Sequence, residues 1–189
     1  VGNRVMTSPD GITWTSRTSA ADLLWESVVW SPNLALFVAV EIVASGNVSA
    51  MTSPDGITWT LRTGPAFYTG RGLAWSPTLS LFAAVGSSTT PVMTSPDGIT
   101  WTLRSAPAYT WSGVVWSLEM GLFVASAFTA PNIGKIMTSP DGITWTVREA
   151  AGTNQWTSIE WSPELGLLVV VATTGTSNGV MTSQFYQTP

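Results

Sequence analysis

The chain contains no cysteine and no histidine. The first absence excludes disulfides and thiolate chemistry, and a cysteine-free chain fits either redox compartment. The second excludes a Ser-His-Asp triad, an imidazole acid or base and a histidine-ligated metal. Charge is also scarce: 10% of residues are charged, against about 25% in ordinary domains. The seven basic residues are scattered and the net charge is −4. Nucleic-acid recognition needs a basic face, so no nucleic-acid partner is expected. Apolar runs are short and broken by Ser, Pro and Gly. None approaches the roughly 20 residues of a membrane span, so no membrane insertion is expected. No cationic and apolar secretion signal stands at the start.

Two features are abundant instead. Eleven of the 189 residues are tryptophan. The decamer MTSPDGITWT occurs four times without a change, at Met6–Thr15, Met51–Thr60, Met93–Thr102 and Met137–Thr146, and Met181–Ser183 begins a fifth copy. The offsets are 45, 42, 44 and 44 residues. A period of that size marks a repeat architecture with one supersecondary unit per copy.

One unit reads as four strands. Trp25–Trp30 mixes aromatic and β-branched residues (strand A), and Ser31-Pro32-Asn33 is a turn signal. Leu34–Val40 is nearly all apolar (strand B), and Glu41–Asn47 reads as a loop. Val48–Ser53 (strand C) runs through the Pro54-Asp55-Gly56 turn into Ile57–Arg62 (strand D), which alternates apolar and polar residues. Strand A returns at Gly70–Trp75, Trp111–Trp116 and Trp156–Trp161, and strand B at Leu79–Val85, Met120–Ala125 and Leu165–Ala172.

Four-stranded antiparallel units at this period are the blades of a β-propeller. The expected fold is therefore all-β: one domain, 1–189, of four blades. The repeats fall at about 18–62, 63–104, 105–148 and 149–189 plus 1–17. A β-sandwich would not require the repeat. The chain opens with strands C and D (Arg4–Arg17) and ends with A, B and C. The N- and C-terminal strands are expected to share the last blade, closing the ring and removing an exposed edge. Two segments compete for one strand-C place, residues 4–8 and 179–183. The N-terminal hairpin is expected to stay together through its SPDG turn and to take that place, leaving MTSQF outer or loose. The reverse pairing, and pairing of the surplus strand with another molecule, stay open.

The SPDGITW segment resembles the Asp-box, or BNR repeat, of pattern Ser-x-Asp-x-Gly-x-Thr-Trp. The matching residues are Ser8, Asp10, Gly11, Thr13 and Trp14, and their equivalents at Ser53–Trp59, Ser95–Trp101 and Ser139–Trp145. Asp and Gly are adjacent here, one residue closer than in the family, so the likeness is to a shortened variant. The resemblance implies a structural turn between outer strands, away from any active site. Asp-box repeats occur in sialidases and in many non-enzymatic propellers. The sialidase arginine triad, Tyr-Glu pair and acidic residue have no counterpart here. Arg17, Arg62, Arg104 and Arg148 each follow a box Trp by three residues, on outer strands. The repeats are also similar in style to those of phage and bacterial surface or tail-fibre-like proteins, which points to an extracellular, virion or cell surface.

Each box offers one carboxylate, whereas Ca²⁺ takes about six to eight oxygen ligands. Asp10, Asp55, Asp97 and Asp141 are therefore read as structural turn residues. Each carboxylate accepts turn N–H groups while the following Gly takes positive φ. No metal and no cofactor is expected.

The tryptophans form three sets. Trp14, Trp59, Trp101 and Trp145 belong to the box. Trp30, Trp75, Trp116 and Trp161 end strand A, and both sets are expected between blades. The third set is Trp25, Trp111 and Trp156, with Gly70 at the equivalent place, and its irregularity points to binding. The A–B and C–D turns are near-constant and share one end of each blade. The B–C and D–A connections, at the other end, vary. Binding residues concentrate on variable loops held by a rigid scaffold. The candidate ligand-binding residues are Trp25, Tyr68, Tyr109, Trp111, Asn154 and Trp156, with Asn132 and Gln155 adding amides.

The leading expectation is a non-catalytic binding propeller with a glycan as ligand, since sugars stack on aromatic rings and repeated weak sites give avidity. The alternative is a structural or protein-interaction module of a fibre or surface assembly, as a monomer or a strand-mediated oligomer. A glycosidase needs two carboxylates about 5–10 Å apart. Asp22, Glu26, Glu41, Glu119, Glu149, Glu160 and Glu164 show no suggestive pair, so no enzyme is expected. Recent duplication, turn constraint or design would each account for an unchanged decamer.

Overall fold

The computed structural model describes residues 4–42, 49–65, 70–87, 89–128, 134–175 and 179–184. It is all-β, with seventeen antiparallel strands among the described residues. Blade 1 is β3 (Trp25–Ser31), β4 (Leu36–Glu41), β5 (Ser49–Ser53) and β6 (Thr60–Thr63), paired in that order. Blade 2 repeats it with β7 (Gly70–Ser76), β8 (Leu81–Gly86), β9 (Val92–Ser95) and β10 (Thr102–Arg104). Blade 3 comprises β11 (Trp111–Ser117), β12 (Leu122–Ala127), β13 (Lys135–Ser139) and β14 (Thr146–Glu149). Blade 4 has three strands among the described residues: β15 (Asn154–Ser162), β16 (Leu167–Gly175) and β17 (Val180–Gln184). The N-terminal strands β1 (Val5–Thr7) and β2 (Thr15–Arg17) form a two-stranded sheet of their own.

Two boundaries shift from the sequence reading for local reasons. Strand B begins at Leu36, Leu81, Leu122 and Leu167 rather than two residues earlier. The A–B turn places Ala35, Ser80, Gly121 and Gly166 at positive φ, and the turn Ser hydroxyl accepts the N–H of Leu34, Leu79, Met120 or Leu165. Strand D begins only after the box Trp, because the box Asp holds the two preceding N–H groups in the turn. In blade 2, Asp97 Oδ1 accepts from Ile99 N at 2.8 Å, Thr100 N at 2.7 Å and Ser95 Oγ at 2.9 Å. Gly98 then takes φ +72° and Trp101 Nε1 donates to its carbonyl at 3.2 Å. The other three boxes share the network, closed by Trp14, Trp59 and Trp145.

The inner strands pack in sequence, β3 on β7, β7 on β11 and β11 on β15. Small residues permit this approach. A Cβ on Gly72 would lie 2.9 Å from Val114 N, and one on Gly113 3.1 Å from Ile159 Cγ2. The core lies between the blades. Val85 and Val92 of blade 2 meet Trp111, Phe123, Met137 and Trp145 of blade 3 in one cluster. Within each of blades 1 to 3, Phe37, Phe82 or Phe123 on strand B bridges the strand-A Trp, 4.4–4.8 Å away, and the box Trp, 6.2–6.4 Å away. Leu168 replaces the Phe in blade 4.

The expected closure of the ring by a shared terminal blade is not what the structure has. The N-terminal hairpin does stay together, with Met6 opposite Ser16 across its ladder. It does not join blade 4. There β17 pairs with β16, Val170 opposite Met181, so the segment expected to be loose takes the strand-C place. The physical reason is register. Met181, Thr182 and Ser183 stand opposite β16 as Met51, Thr52 and Ser53 stand opposite β4, so either MTS segment fits that edge. Only one can occupy it.

Candidate functional site

The four inner strands share an irregularity that the repeat alone does not announce. In β3, Trp25 stands opposite Glu41 and Ser27 opposite Val40, so Glu26 is an extra residue in the ladder. Arg71, Ser112 and Thr157 hold the same place in β7, β11 and β15. A β-bulge kinks the strand and re-aims a side chain, and bulges concentrate beside active sites. Four bulges at one repeat position bring Glu26, Arg71, Ser112 and Thr157 into a cavity of about 470 Å³, lined by the inner strands and also by Glu160. The bulges lie at the start of strand A, on the end of each blade where the connections vary.

The four side chains are not equally free. Ser112 Oγ donates to the carbonyl of Trp156 at 2.6 Å, tying blade 3 to blade 4, and lies 3.3 Å from Ser126 Oγ. Thr157 Oγ1 donates to Val171 O at 3.1 Å. Those two hydroxyls have spent their protons on the fold and keep only acceptor capacity. Glu26 is exposed. Arg71 is half-buried, its Cζ 5.1 Å above the centre of the Phe128 ring. Its Nε is buried without a hydrogen-bond partner, and neither ion pair among the described residues involves it. A cation over an aromatic face gains about 0.5–2 kcal/mol, which holds the guanidinium in place with its Nε unpartnered among the described residues.

Among the residues expected to bind ligand, most are structural. Trp111 and Trp156 are the two largest fully buried side chains, and Asn154 is fully buried. A ring with no accessible face cannot stack on a sugar, so their binding role is withdrawn. Trp111 fills the gap between blades 2 and 3, and its Nε1 donates to Pro107 O at 3.0 Å. Tyr109 packs against it at 5.4 Å between ring centroids. Trp25 is half-buried and bonds Ala21 O at 3.3 Å. Tyr68 lies outside the described residues. The repeat is also irregular one residue further on. The position after Trp25, Gly70, Trp111 and Trp156 runs Glu, Arg, Ser, Thr, and the next is always Ser or Gly.

Each box Asp acts as a turn acceptor. Thr13 and Ile12 N–H groups, with Ser8, lower the pKa of Asp10 to about 2. Thr58 and Ile57 N–H groups hold Asp55 below its usual range. For Asp97 and Asp141 burial pushes upward, but the turn N–H groups of Thr100, Ile99, Thr144 and Ile143 outweigh it and the net shift is down. The four Arg after the boxes are also structural where they bond. Their Nε atoms reach across the hairpin to Thr7, Thr52, Thr94 and Thr138 at 2.8–3.3 Å. Among the described residues no three acidic side chains cluster as a metal site.

No family model and no curated protein matches the chain, so the likeness of SPDGITW to the Asp-box remains a resemblance. Solved structures do match. A gluconolactonase from Xanthomonas campestris superposes with a TM-score of 0.64 over 96% of this chain and 65% of that one, at 14% identity. A GH74 enzyme from Niastella koreensis gives 0.65 over 84% and 28%, at 19% identity. The WD40 β-propeller domain of Doa1 gives 0.55 over 79% and 49%, at 11% identity. The chain thus has a β-propeller repeat fold, and it spans less than two thirds of the length of each of these solved chains. Two of the three are named as enzymes. That overturns the expectation that the chain is not an enzyme, because a propeller of this form is no ground for excluding catalysis. At these identities the likeness speaks to the fold alone.

Proposed function

We propose that this propeller binds a hydroxyl-rich ligand, a glycan unit, at the bulge-lined cavity of the inner strands. One observation carries the reading: Arg71 is fixed over Phe128 with a buried, unpartnered Nε, at a bulge beside the exposed Glu26. A guanidinium presents a planar fork of donors to paired hydroxyls or to a carboxylate. Glu26 supplies acceptors for hydroxyl protons, and Ser112 and Thr157 supply acceptor lone pairs. The aromatic stacking expected of Trp111 and Trp156 plays no part. The test is a glycan array carrying neutral and acidic sugars, probed with the wild type and with Arg71→Ala. Saturable binding that the variant loses while its circular dichroism spectrum is unchanged supports the site. Equal binding by both proteins, or no binding by the wild type, removes it.

A second reading rests on a different observation. Glu26 and Glu160 line the same cavity, and glycoside hydrolysis uses two carboxylates about 5–10 Å apart. Turnover of a chromogenic glycoside, abolished in both Glu26→Gln and Glu160→Gln, would establish hydrolysis. Absence of turnover for every glycoside that the array shows to bind would leave binding alone.

A further inference from the structure

Departures from the repeat converge on Arg71. At the bulge position the four blades carry Glu26, Arg71, Ser112 and Thr157, of which Arg71 is the one cation. Gly70 precedes it, where the other blades have Trp25, Trp111 and Trp156. Its support is equally singular. Phe128 stands one residue beyond Ala127, the ladder partner of Trp111, and Ile42, Ser87 and Thr173 hold that place in blades 1, 2 and 4. The stacking of Arg71 on Phe128 thus links blade 2 to blade 3 through two residue types that the other blades lack at these positions. The other blades adopt the same strand order without this pair, so the scaffold does not require it.

The side chains around it are acceptors. Glu26 and Glu160 are exposed carboxylates, and Ser112 and Thr157 have committed their protons to Trp156 O and Val171 O. Among the four bulge side chains and Glu160, Arg71 alone has donors to offer. A ligand complementary to this set presents one acceptor group to Arg71 and hydroxyl donors to the rest. Arg71 and Glu26 stand on the neighbouring inner strands β7 and β3, yet neither ion pair among the described residues joins them. Each is therefore left for the ligand. A guanidinium keeps its charge at any ordinary pH, and its planar fork matches the two oxygens of a carboxylate. Such charge-assisted, bidentate bonds are roughly twice as strong as neutral ones. Glu26 and Glu160 oppose an incoming anion, but both are exposed and screened by water and salt. Arg71 is half-buried, where screening is weaker, so its attraction outweighs their repulsion at close range.

We infer that the glycan unit taken by this cavity is an acidic sugar, a ring bearing one carboxylate among its hydroxyls, and that Arg71 is the residue that sets this specificity. The inference rests on the reading of the cavity as a glycan site and narrows it from any hydroxylated unit to a uronic acid. The carboxylate meets the Arg71 fork at the joint of blades 2 and 3. The hydroxyls donate to Glu26 on one side and to Ser112 and Thr157 on the other. With a single cation at one of four bulges, the unit has one favoured orientation. A neutral sugar of the same shape leaves the guanidinium without its counter-charge and loses the strongest contact of the site.

Calorimetric titration of the full chain with glucuronic acid, with its methyl ester and with acetate tests this. The ester keeps the ring and the hydroxyls and removes only the charge. The wild type should bind the acid at least roughly tenfold more tightly than the ester, a difference of about 1.4 kcal/mol. Acetate, which brings the charge without the hydroxyls, should bind more weakly than the acid. This comparison uses one folded protein and needs no variant. Arg71→Gln should bind acid and ester alike, and Arg71→Lys, a point charge without the fork, should keep the preference at reduced affinity. Equal binding of acid and ester by the wild type, or a preference that survives in Arg71→Gln, overturns the inference. If the glycan array then shows neutral sugars bound in a manner that Arg71→Ala abolishes, the glycan reading stands without it. A wild type that binds neither these probes nor any sugar on the array overturns both.

Discussion

Met6–Thr15 and Met137–Thr146 are the same ten residues in two surroundings. Their local structure is the same. Asp10 and Asp141 accept the same two turn N–H groups at 2.7–2.9 Å, and Gly11 and Gly142 take φ of +74° and +71°. Their tertiary roles are opposite. Trp145 is 8% exposed and Trp14 54%. The turn is therefore written into the decamer itself, and burial is conferred by the neighbouring blade. The stability each copy contributes belongs to the junction rather than to the motif.

The largest test of that difference is truncation of the same Trp in both places. Trp145→Ala should cost about 3–5 kcal/mol, the usual range for a buried Trp. Trp14→Ala should cost about 0.5 kcal/mol or less, as an exposed substitution does. Urea unfolding of the two variants measures both, and equal costs would show that the hairpin is buried in solution. The second contrast uses glycine. Gly11→Ala meets nothing within 4 Å and should cost only the left-handed backbone strain, about 1–2 kcal/mol. Gly98→Ala has the same strain and places its Cβ 2.6 Å from Val38 Cγ2. It should cost a further 1–3 kcal/mol or so of overpacking.

The smallest contrast is in acid. The folded pKa of Asp10 is about 2 against an ordinary 3.8. A depressed carboxylate stabilises the fold above its unfolded pKa, and that contribution is lost as pH falls through the folded value. The loss therefore runs from about pH 4 down to about pH 2. Asp97 and Asp141 are also held below their ordinary value, so acid should likewise lower the urea midpoint of the whole molecule as their carboxylates protonate. In the box of Asp10 it should open the hairpin alone, seen as faster amide exchange at Ile12 and Thr13. Replacing Asp10 with Asn should make that exchange independent of pH in this window, with the urea midpoint unchanged. A shift of the midpoint would couple the hairpin to the rest.

The legibility of the chain follows the same division between motif and junction. Strand order, turns and the role of Asp55 or Asp97 could be read because they depend on residues within about ten positions of one another. The destination of β1 could not be read, because Met6-Thr7-Ser8 and Met181-Thr182-Ser183 fit one edge equally and only three-dimensional competition separates them. The candidate site was half legible. The variable end of the blades was identified, but the weight placed on Trp111 and Trp156 fell on interior residues. The bulge that turns Glu26 and Arg71 inward is a property of pairing between strands, invisible in either strand alone.

Gly72 and Gly113 sit where neighbouring inner strands nearly touch, and Ser27 and Ser158 keep that place small in the outer two blades. Each acts as a spacer of zero thickness. A larger side chain there would be a shim, prising one blade from the next by a few tenths of an ångström and opening the wedge angle at that joint. Three such joints in series convert a small change of residue volume into a change of curvature. The curvature of the blade series is thus a dimension that this one position per repeat can tune.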